Sequence, residues 1–176
     1  ASTNNPLDMA INGDGFFVIR KPDGNLVYTR DGSFQLDRNG QIVTSQGYSL
    51  DPGFTIPSDA IEIQITRDGV VSILTENSTD ATVLGQIELA RFINSTGLKS
   101  IGDNFYQETP ASGQPFFEIP GTNNTGEIIQ HHLESANVDI VEEMVNMITA
   151  QRAYELNSKS VKTADDILST AVNLKR

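Results

Sequence analysis

The side chains that could do chemistry in this 176-residue chain are few, and their spacing favours structural roles. The two histidines, His131 and His132, are adjacent, so they would point about 100° apart on a helix and to opposite faces on a strand. Neither arrangement makes a good paired metal site. The sequence contains no cysteine, which excludes disulfides, thiolate zinc sites and thiol nucleophiles. The G-x-S-x-G elbow of serine hydrolases is also absent from the sequence.

Carboxylates are abundant, but most of them lie in turn sequences. In Arg30-Asp31-Gly32 and Arg67-Asp68-Gly69 we expect the aspartate to cap the turn through nearby backbone groups. The sequence NGDG at 12–15 offers oxygen ligands, yet it lacks the ligand spacing and terminal Glu of a calcium loop. Its glycines are not followed by a helix with Lys and Ser or Thr, which a phosphate loop needs. We therefore predict no catalytic, cofactor-binding or metal-binding residues, no cofactor and no enzymatic activity.

The formal charge of −11 at pH 7 is concentrated ahead of the C-terminal segment. Residues 1–136 contain 17 acidic and seven basic residues, whereas residues 137–176 contain six and five. An acidic body without a basic patch argues against nucleic acid, whose phosphates need clustered Lys and Arg, and against an anionic membrane surface. No run of about 18 apolar residues is present, so we expect no membrane insertion, and no signal peptide is visible.

Residues 8–105 are typical of short strands joined by tight turns. Asn-Gly and Asp-Gly pairs are strong hairpin signals, because primed turns need positive φ. They occur at 12–13, 14–15, 23–24, 31–32, 39–40 and 68–69. Between them, β-branched and aromatic residues predict strands at Phe16–Arg20, Leu26–Thr29, Ser33–Leu36, Gln41–Thr44, Ile61–Thr66, Val70–Leu74 and Val83–Ile93. Because Ile61, Ile63 and Ile65 alternate with polar residues, we expect a half-buried strand there. The sequence thus predicts a mainly β fold, a turn-rich antiparallel meander that is barrel-like or sandwich-like.

After the predicted strands, the sequence predicts first an irregular segment and then a long helix. Residues 109–126, rich in Pro, Gly and Asn, predict an irregular arm. A long helix is predicted from Asn137, a favourable N-cap residue, with acidic residues in its first turns and Lys175 and Arg176 at its end. Its roughly 38 residues would extend about 55 Å, more than the about 30–35 Å width of a small sheet domain. We therefore expect a β-rich outer domain at 1–133 and a C-terminal helix at 134–176.

Apolar residues on the predicted helix recur every seven positions. A heptad stripe with small side chains along one row is typical of a coiled-coil seam, so we expect it to pack against another helix rather than against the chain's own body. The predicted assembly seam consists of Ile140, Met144, Met147, Ala150, Tyr154, Val161, Ala164, Leu168, Ala171 and Val172.

Three stretches of the sequence closely resemble bacterial flagellar axial proteins of the rod and hook class. The sequence SANVDIVEEMVNMITAQRAYELNSKSVKTADDIL, residues 135–168, resembles the C-terminal signature of that family. AINGDGFFVI, followed by YTRDGSFQLDRNGQIVTSQGY, is similar to the start of its β region, and FINSTGLKSIGDNFYQETPASGQP is similar to a later segment. The length and the QRAYELNSK sequence are most similar to the distal rod subunits, followed by the proximal rod and hook subunits. The family's N-terminal helix, which pairs with the C-terminal one, has no counterpart in this sequence.

The resemblance implies a structural subunit that polymerises with copies of itself into a helical tube and transmits torque from the motor to the hook. It also implies contacts with other rod and hook subunits, with the ring proteins that form a bushing around the rod, and with the flagellar export apparatus. The implied location is the basal body of the flagellum, in the periplasmic space. Terminal helices would line the tube and β domains would face outward.

Two alternatives remain at this stage. Within the family, the chain could be a proximal rod or hook-type axial protein, although the hook protein usually carries a larger inserted domain. From another class, a secreted cell-wall-binding β module with a helical stalk would need exposed aromatic residues for sugar stacking. The sequence has only four Tyr and no Trp, which disfavours the cell-wall-binding alternative.

Overall fold

The computed structural model describes residues 2–76, 80–134 and 140–174, with the side chains of the long helix described at 144–164 and 167. The chain divides into two compact units, Ala1–Ser135 and Ala136–Arg176. Described strands and one short 3-10 helix make up the first unit, and one α-helix makes up the second.

The strands of the first unit are short. In chain order they are β1 Met9–Asn12, β2 Phe16–Arg20, β3 Leu26–Thr29, β4 Gln35–Leu36, β5 Ile42–Val43, β6 Ser49–Leu50, β7 Ala60–Ile65, β8 Val70–Thr75, β9 Thr82–Gln86, β10 Leu89–Arg91, β11 Lys99–Gly102, β12 Phe105–Gln107, β13 Phe116–Glu118 and β14 Glu127–Gln130. The 3-10 helix spans Ser95–Gly97, and helix α1 spans Ile140–Leu174.

An antiparallel sheet of nine strands forms the centre of the first unit. One path through it runs β11-β12-β3-β2-β10-β13, and a branch leaves β2 through β6 and β5 to β4. The branch arises because β10 pairs with Phe16 and Phe17 of β2, whereas β6 pairs with Ile19 and Arg20. Two smaller antiparallel sheets, β7-β8-β9 and β1-β14, complete the unit.

Hydrophobic side chains cover both faces of strand β2. Phe17 and Ile19 belong to the larger core cluster, whereas Phe16 and Val18 belong to a smaller cluster with Tyr28 and others. Edge-to-face contacts order the rings of both clusters, with centroids 5.2 Å apart for Phe17–Phe34 and 4.8 Å apart for Tyr28–Phe92. Four consecutive buried residues in β2 therefore replace the alternation of a sheet that has one solvated face.

The predicted mainly β fold with a long C-terminal helix is confirmed, but the barrel-like form is not. Within the described residues no sheet closes on itself, since the six-strand path ends at open strands β11 and β13. The single strand predicted at 83–93 is two strands in different sheets, separated where the Ile87 amide bonds to the Gly69 carbonyl. Strand β13 lies inside the segment expected to be irregular.

The alternation expected around Ile61 is wrong at that residue. A register shift between Ala60 and Glu62 places Ile61 at a bulge, and its side chain is 64% exposed. An extra residue in a strand breaks the period of two, so the pattern holds only for Ile63 and Ile65.

Three of the six predicted hairpin turns join paired strands. The pairs at 23–24, 39–40 and 68–69 connect β2 to β3, β4 to β5 and β7 to β8. Two of the other three glycines lie where backbones approach closely: a Cβ on Gly32 would lie 1.7 Å from the Met9 carbonyl oxygen, and one on Gly13 would lie 2.8 Å from Gly126 Cα. A sequence pair that tolerates positive φ thus marks crowded backbone crossings as well as hairpins.

Helix α1 is 35 residues long. The proposed N-cap Asn137 and the terminal cations Lys175 and Arg176 lie outside the described residues. Among the described residues, no helix combines the length and apolar character needed to cross a membrane.

Candidate assembly surfaces

The histidines weighed for chemistry lie on the surface at the end of β14. His132 Nδ1 lies 2.9 Å from the Gln130 carbonyl, and His131 adopts a φ of 60°. In the described part of the chain, no three His, Asp or Glu side chains come together as a metal-binding group.

Several aspartates cap turns, as the sequence suggests for Asp31. Asp31 Oδ1 accepts hydrogen bonds from the Ser33 amide at 3.0 Å and the Ser33 hydroxyl at 2.7 Å. Asp23 accepts in the same way from Asn25, and the Asn25 backbone and side-chain donors lower the pKa of the Asp23 carboxyl.

The predicted cap at Asp68 is wrong. The Thr66 hydroxyl accepts the hydrogen bond from the Val70 amide at 3.1 Å, and Asp68 bonds to the Thr66 hydroxyl. A threonine at the start of the turn therefore replaces the aspartate as the backbone acceptor, because its hydroxyl can both donate and accept.

Six of the ten predicted seam residues have described side chains, and all six are exposed. Met144, Met147, Tyr154 and Val161 are between 57% and 78% exposed, and Ala150 and Ala164 are exposed beside them. The other four predicted seam residues belong to α1, but their side chains lie outside the described set: Ile140, Leu168, Ala171 and Val172. The seam stays a prediction, because a single chain does not show what covers it.

A second apolar stripe on α1 was missed by the heptad analysis. Val145, Leu156 and Ile167 are spaced by eleven residues, which is about three helical turns, and each is exposed. Leu156 follows Met147 by about two and a half turns, so this stripe lies opposite the row of Met147 and Tyr154. Leu156 and Ile167 line one surface groove with the seam residue Ala164. The signal was available in the sequence as an eleven-residue repeat. Helix α1 therefore presents apolar side chains on two faces.

Arg30 stabilises the segment that connects β1 to β2 by hydrogen bonds to its backbone carbonyls. The Arg30 guanidinium donates to the carbonyls of Ile11, Gly13 and Gly15 at 3.1–3.3 Å, and its Nε donates to Glu134 at 2.8 Å. Arg30 therefore holds the backbone of NGDG and its preceding residue through three carbonyls that share one cation. In the sequence, Arg30 stands out only as the neighbour of the turn aspartate Asp31.

Gln130 ties the two ends of the first unit to the three-stranded sheet. Its amide nitrogen donates to the carbonyls of Pro6 at 2.7 Å and Ile63 at 2.9 Å, and its oxygen accepts from the Ile65 amide at 3.1 Å. Next to it, Ser2 and His132 form an antiparallel bridge. The chain therefore runs into and out of the first unit side by side.

The chain matches two protein-family models. The flagellar hook protein FlgE/F/G D1 domain matches residues 10–73, and the C-terminal domain of the flagellar basal body rod FlgEFG proteins matches residues 129–174. The first match covers β1 to β8 except for the first residue of β1 and the last two of β8, and the second covers the last two residues of β14 and all of α1.

Curated relatives match over most of the chain. The flagellar basal-body rod protein FlgG of Buchnera aphidicola subsp. Acyrthosiphon pisum is 52% identical over 168 residues, covering 96% of this chain and 65% of that protein. The FlgG of Borreliella burgdorferi is 51% identical over 177 residues, covering 99% of this chain and 67% of that protein. The flagellar hook protein FlgE of Salmonella typhimurium is 44% identical over 138 residues, covering 78% of this chain and 32% of that protein. The chain thus spans about two thirds of the length of the rod proteins that it matches.

Proposed function

Since this chain belongs to the FlgE/F/G family of flagellar hook and basal-body rod proteins, we propose that it is part of a structural subunit of the distal rod. The subunit polymerises into a helical tube that transmits torque from the motor to the hook. The observation that carries the proposal is the difference in similarity, 52% identity over 96% of the chain for a rod protein against 44% over 78% for a hook protein.

The proposed work of α1 is lateral association. An exposed residue as large as Tyr154 in a regular apolar row loses water contact when a neighbouring helix covers it, at about 25 cal/mol per Å² of apolar surface. The small side chains Ala150 and Ala164 let that neighbour approach closely. The second stripe, around Leu156, supports contacts on the opposite face as well, as a helix surrounded within a tube wall would need. Layers of this kind give the rod axial stiffness.

The β unit has the complementary role of a rigid outer body. Its large core and the clamps at Arg30 and Gln130 support a body that keeps its shape under load. Because residues near Ser2 and His132 are neighbours, any segment preceding residue 2 would leave this unit beside the segment that leads to α1. That placement supports pairing of α1 with a helix from the preceding part of a longer chain.

The proposed partners are copies of the same subunit, other rod and hook subunits, the ring proteins around the rod and the flagellar export apparatus. The proposed location is the periplasmic part of the basal body. These partners and this location rest on family membership, and the absence of cysteine suits a chain that is exported through an oxidising space.

A chimaera tests the proposed function. Residues 1–176 replace the matching region of the rod protein FlgG in a motile bacterium, and swimming and purified basal bodies are compared with the parent strain. We expect swimming cells whose rods contain the chimaera. A chimaera that is produced and exported but fails in the rod, while the same replacement in the hook protein FlgE supports a hook, would contradict the distal-rod proposal.

A further inference from the structure

The six-strand path β11-β12-β3-β2-β10-β13 ends in two strands with open edges. All four residues of β11 are exposed, and β13 carries Phe116 and Phe117 at 47% and 46% exposure. Exposed aromatic residues on an unpaired edge strand invite pairing with another strand. Natural edge strands often avoid this with charges or bulges. Strand β11 does carry Lys99 and a bulge, but β13 has a phenylalanine on each of its faces.

The directions of the two open strands allow them to pair between copies. Each neighbouring pair along the path is antiparallel, so β11 and β13, separated by four strands, run in opposite directions. If a second copy continues the sheet with its usual twist, β13 of the first meets β11 of the second in antiparallel fashion, and the two copies are related by a rotation. The alternation of the sheet then continues across the contact.

The side chains of the two strands also match face by face. Glu118 pairs with Leu89, and Lys99 pairs with Gln107 on the same side of the sheet as Phe105, so both lie on the face of the larger core. Phe117 pairs with Ala90, and Ser100 pairs with Tyr106, so both lie on the face of the smaller core. Continuing the sheet from β13 into β11 of the second copy therefore brings like faces together without turning either strand over.

One register makes each opposed pair favourable. With Phe117 opposite Ser100, Glu118 lies opposite Lys99 and Phe116 lies opposite Ile101, which is 38% exposed at a bulge of β11. Opposite charges and aromatic–β-branched pairs stabilise antiparallel strands when they face each other. Lys99 forms no ion pair with any residue that the structure describes, whereas Glu118 is engaged by the Asn123 side chain.

We infer that β13 of one subunit adds to β11 of a second copy, so that the central sheets of neighbouring β units join edge to edge. The contact is heterologous, and such contacts generate open helical assemblies when the rotation between copies does not close a ring. This inference rests on the proposed function, since it names one lateral contact of the proposed polymer. A contact of three residue pairs is weak alone and becomes effective when the helices hold the subunits together.

Cysteine trapping in the purified chain tests this contact, because the native sequence has no cysteine. In the double variant Ser100→Cys with Phe117→Cys, an intrachain disulfide would leave a monomer on the non-reducing gel, so only interchain disulfides give larger species. We expect mild oxidation at the highest soluble concentration to give a ladder of dimers, trimers and larger species on a non-reducing gel. An equimolar mixture of the two single variants is expected to give covalent dimers and nothing larger.

The matched control moves one cysteine to β4, the third open edge of the same sheet. The double variant Gln35→Cys with Phe117→Cys keeps two exposed thiols, and we expect its cross-linking to be at least about tenfold slower. Equal rates in the two double variants would show random collision and overturn the inference. If a single variant alone formed dimers as fast as the mixture, the contact would be two-fold, and the inference would be overturned. A ladder no stronger than that of the control would also overturn the inference.

Charge exchange tests the register. In the double-cysteine variant, Lys99→Glu or Glu118→Lys alone is expected to slow the ladder roughly two- to fivefold, and both changes together to restore it. Failure of the combined change to restore the rate overturns the assigned register. The result stands apart from the chimaera experiment. A ladder together with a chimaera that fails in the rod but works in the hook contradicts the distal-rod proposal, and a functional chimaera without a ladder contradicts the edge contact.

Discussion

Arg30 shows how a residue that looked like part of a turn supports the fold at a distance. Its guanidinium presents several donors in a fixed plane, which suits the carbonyls around the link between β1 and β2. A lysine would supply one compact charge and could not span the same carbonyls. The Glu134 contact is a partly exposed ion pair, so its share of the stability is small.

We expect Arg30→Lys to lower the free energy of unfolding of the β unit by about 1–3 kcal/mol, the usual loss for hydrogen bonds to a charged group. Urea unfolding, followed by the circular dichroism of the strands, measures the change. Glu134→Gln should cost at most about 1 kcal/mol. Arg38→Lys, at an exposed position, is the matched control and should leave the midpoint unchanged. If Glu134→Gln matched the effect of Arg30→Lys, the carbonyl contacts would not be the source of the stability.

The buried phenol of Tyr28 predicts how the stability of the β unit changes at alkaline pH. Burial, with a contribution from the charge of Glu108, raises the pKa of Tyr28 to about 12. Because the neutral phenol is favoured in the folded state, the stability it contributes is complete below its unfolded pKa of about 10 and is lost as pH rises through about 12. We expect a phenolate component of the near-ultraviolet absorbance that titrates late and coincides with unfolding. Tyr28→Phe should remove that component, and a titration unchanged by the substitution would contradict the assignment.

At the scale of elements, the sequence was informative wherever a local pattern decides the structure. Strands β2 and β3 and the hairpin at Asp68-Gly69 follow from residue type and turn chemistry, and their predicted bounds agree with the structure. Strands such as β6 and β13 could not be predicted, since they consist of two or three residues and each pairs with a strand well removed in the chain, β6 with β2 and β13 with β10. The pairing of β1 with β14 depends on residues more than a hundred positions apart, which no local pattern encodes.

Some of the candidate assembly surfaces could likewise be predicted from the sequence, and others could not. The heptad row of α1 was visible as a period in the sequence, whereas the open edges of β11 and β13 follow only from strand order. Arg30 and Gln130 were invisible for a related reason: their partners are backbone carbonyls, which every residue possesses, so no motif marks them.

The seam on α1 predicts the effect of enlarging a small side chain. In the chimaera, Ala164→Leu should leave the β unit folded but block rod formation and swimming. The added methyl groups would force strain of about 1–3 kcal/mol at each contact, and the contact recurs with every subunit. Swimming and the yield of rods in purified basal bodies are the measurements. Lys162→Ala, on a more polar face, should be mild; if it abolished rods while Ala164→Leu did not, the seam would lie on another face.

The second stripe makes a separate prediction. Leu156→Gln keeps the length and helical propensity of the side chain but removes its apolar character. If the face opposite Met147 and Tyr154 is covered in the polymer, we expect fewer rods and slower swimming, whereas Glu155→Gln on the neighbouring position should have little effect. Normal rods with Leu156→Gln would show that this face stays in water.

The molecule consists of a β unit with its own hydrophobic core and a helix whose described side chains are exposed. Their charges differ as well, because nearly all of the net negative charge belongs to residues 1–136. Repulsion between acidic bodies opposes assembly, so the attractive contacts must outweigh it. A helix with apolar faces supplies that attraction only when partners cover it.

Hydrogen exchange tests this division of labour. Residues 1–133 are expected to fold without a partner for α1, since the core and the β1–β14 ladder close within them. Helices in proteins owe their stability more to tertiary packing than to intrinsic helix propensity. The backbone amides of α1 should therefore exchange rapidly with solvent in the isolated chain. At a concentration where the chain is monomeric, we expect strong protection of amides in β7 and β8 and weak protection at 145–168. Polymerisation should then protect the helical amides by a large factor and change the β amides little. If helical amides were protected as strongly as β8 in the monomer, the helix would be stable without a partner, and the exposed rows would not be needed to hold it.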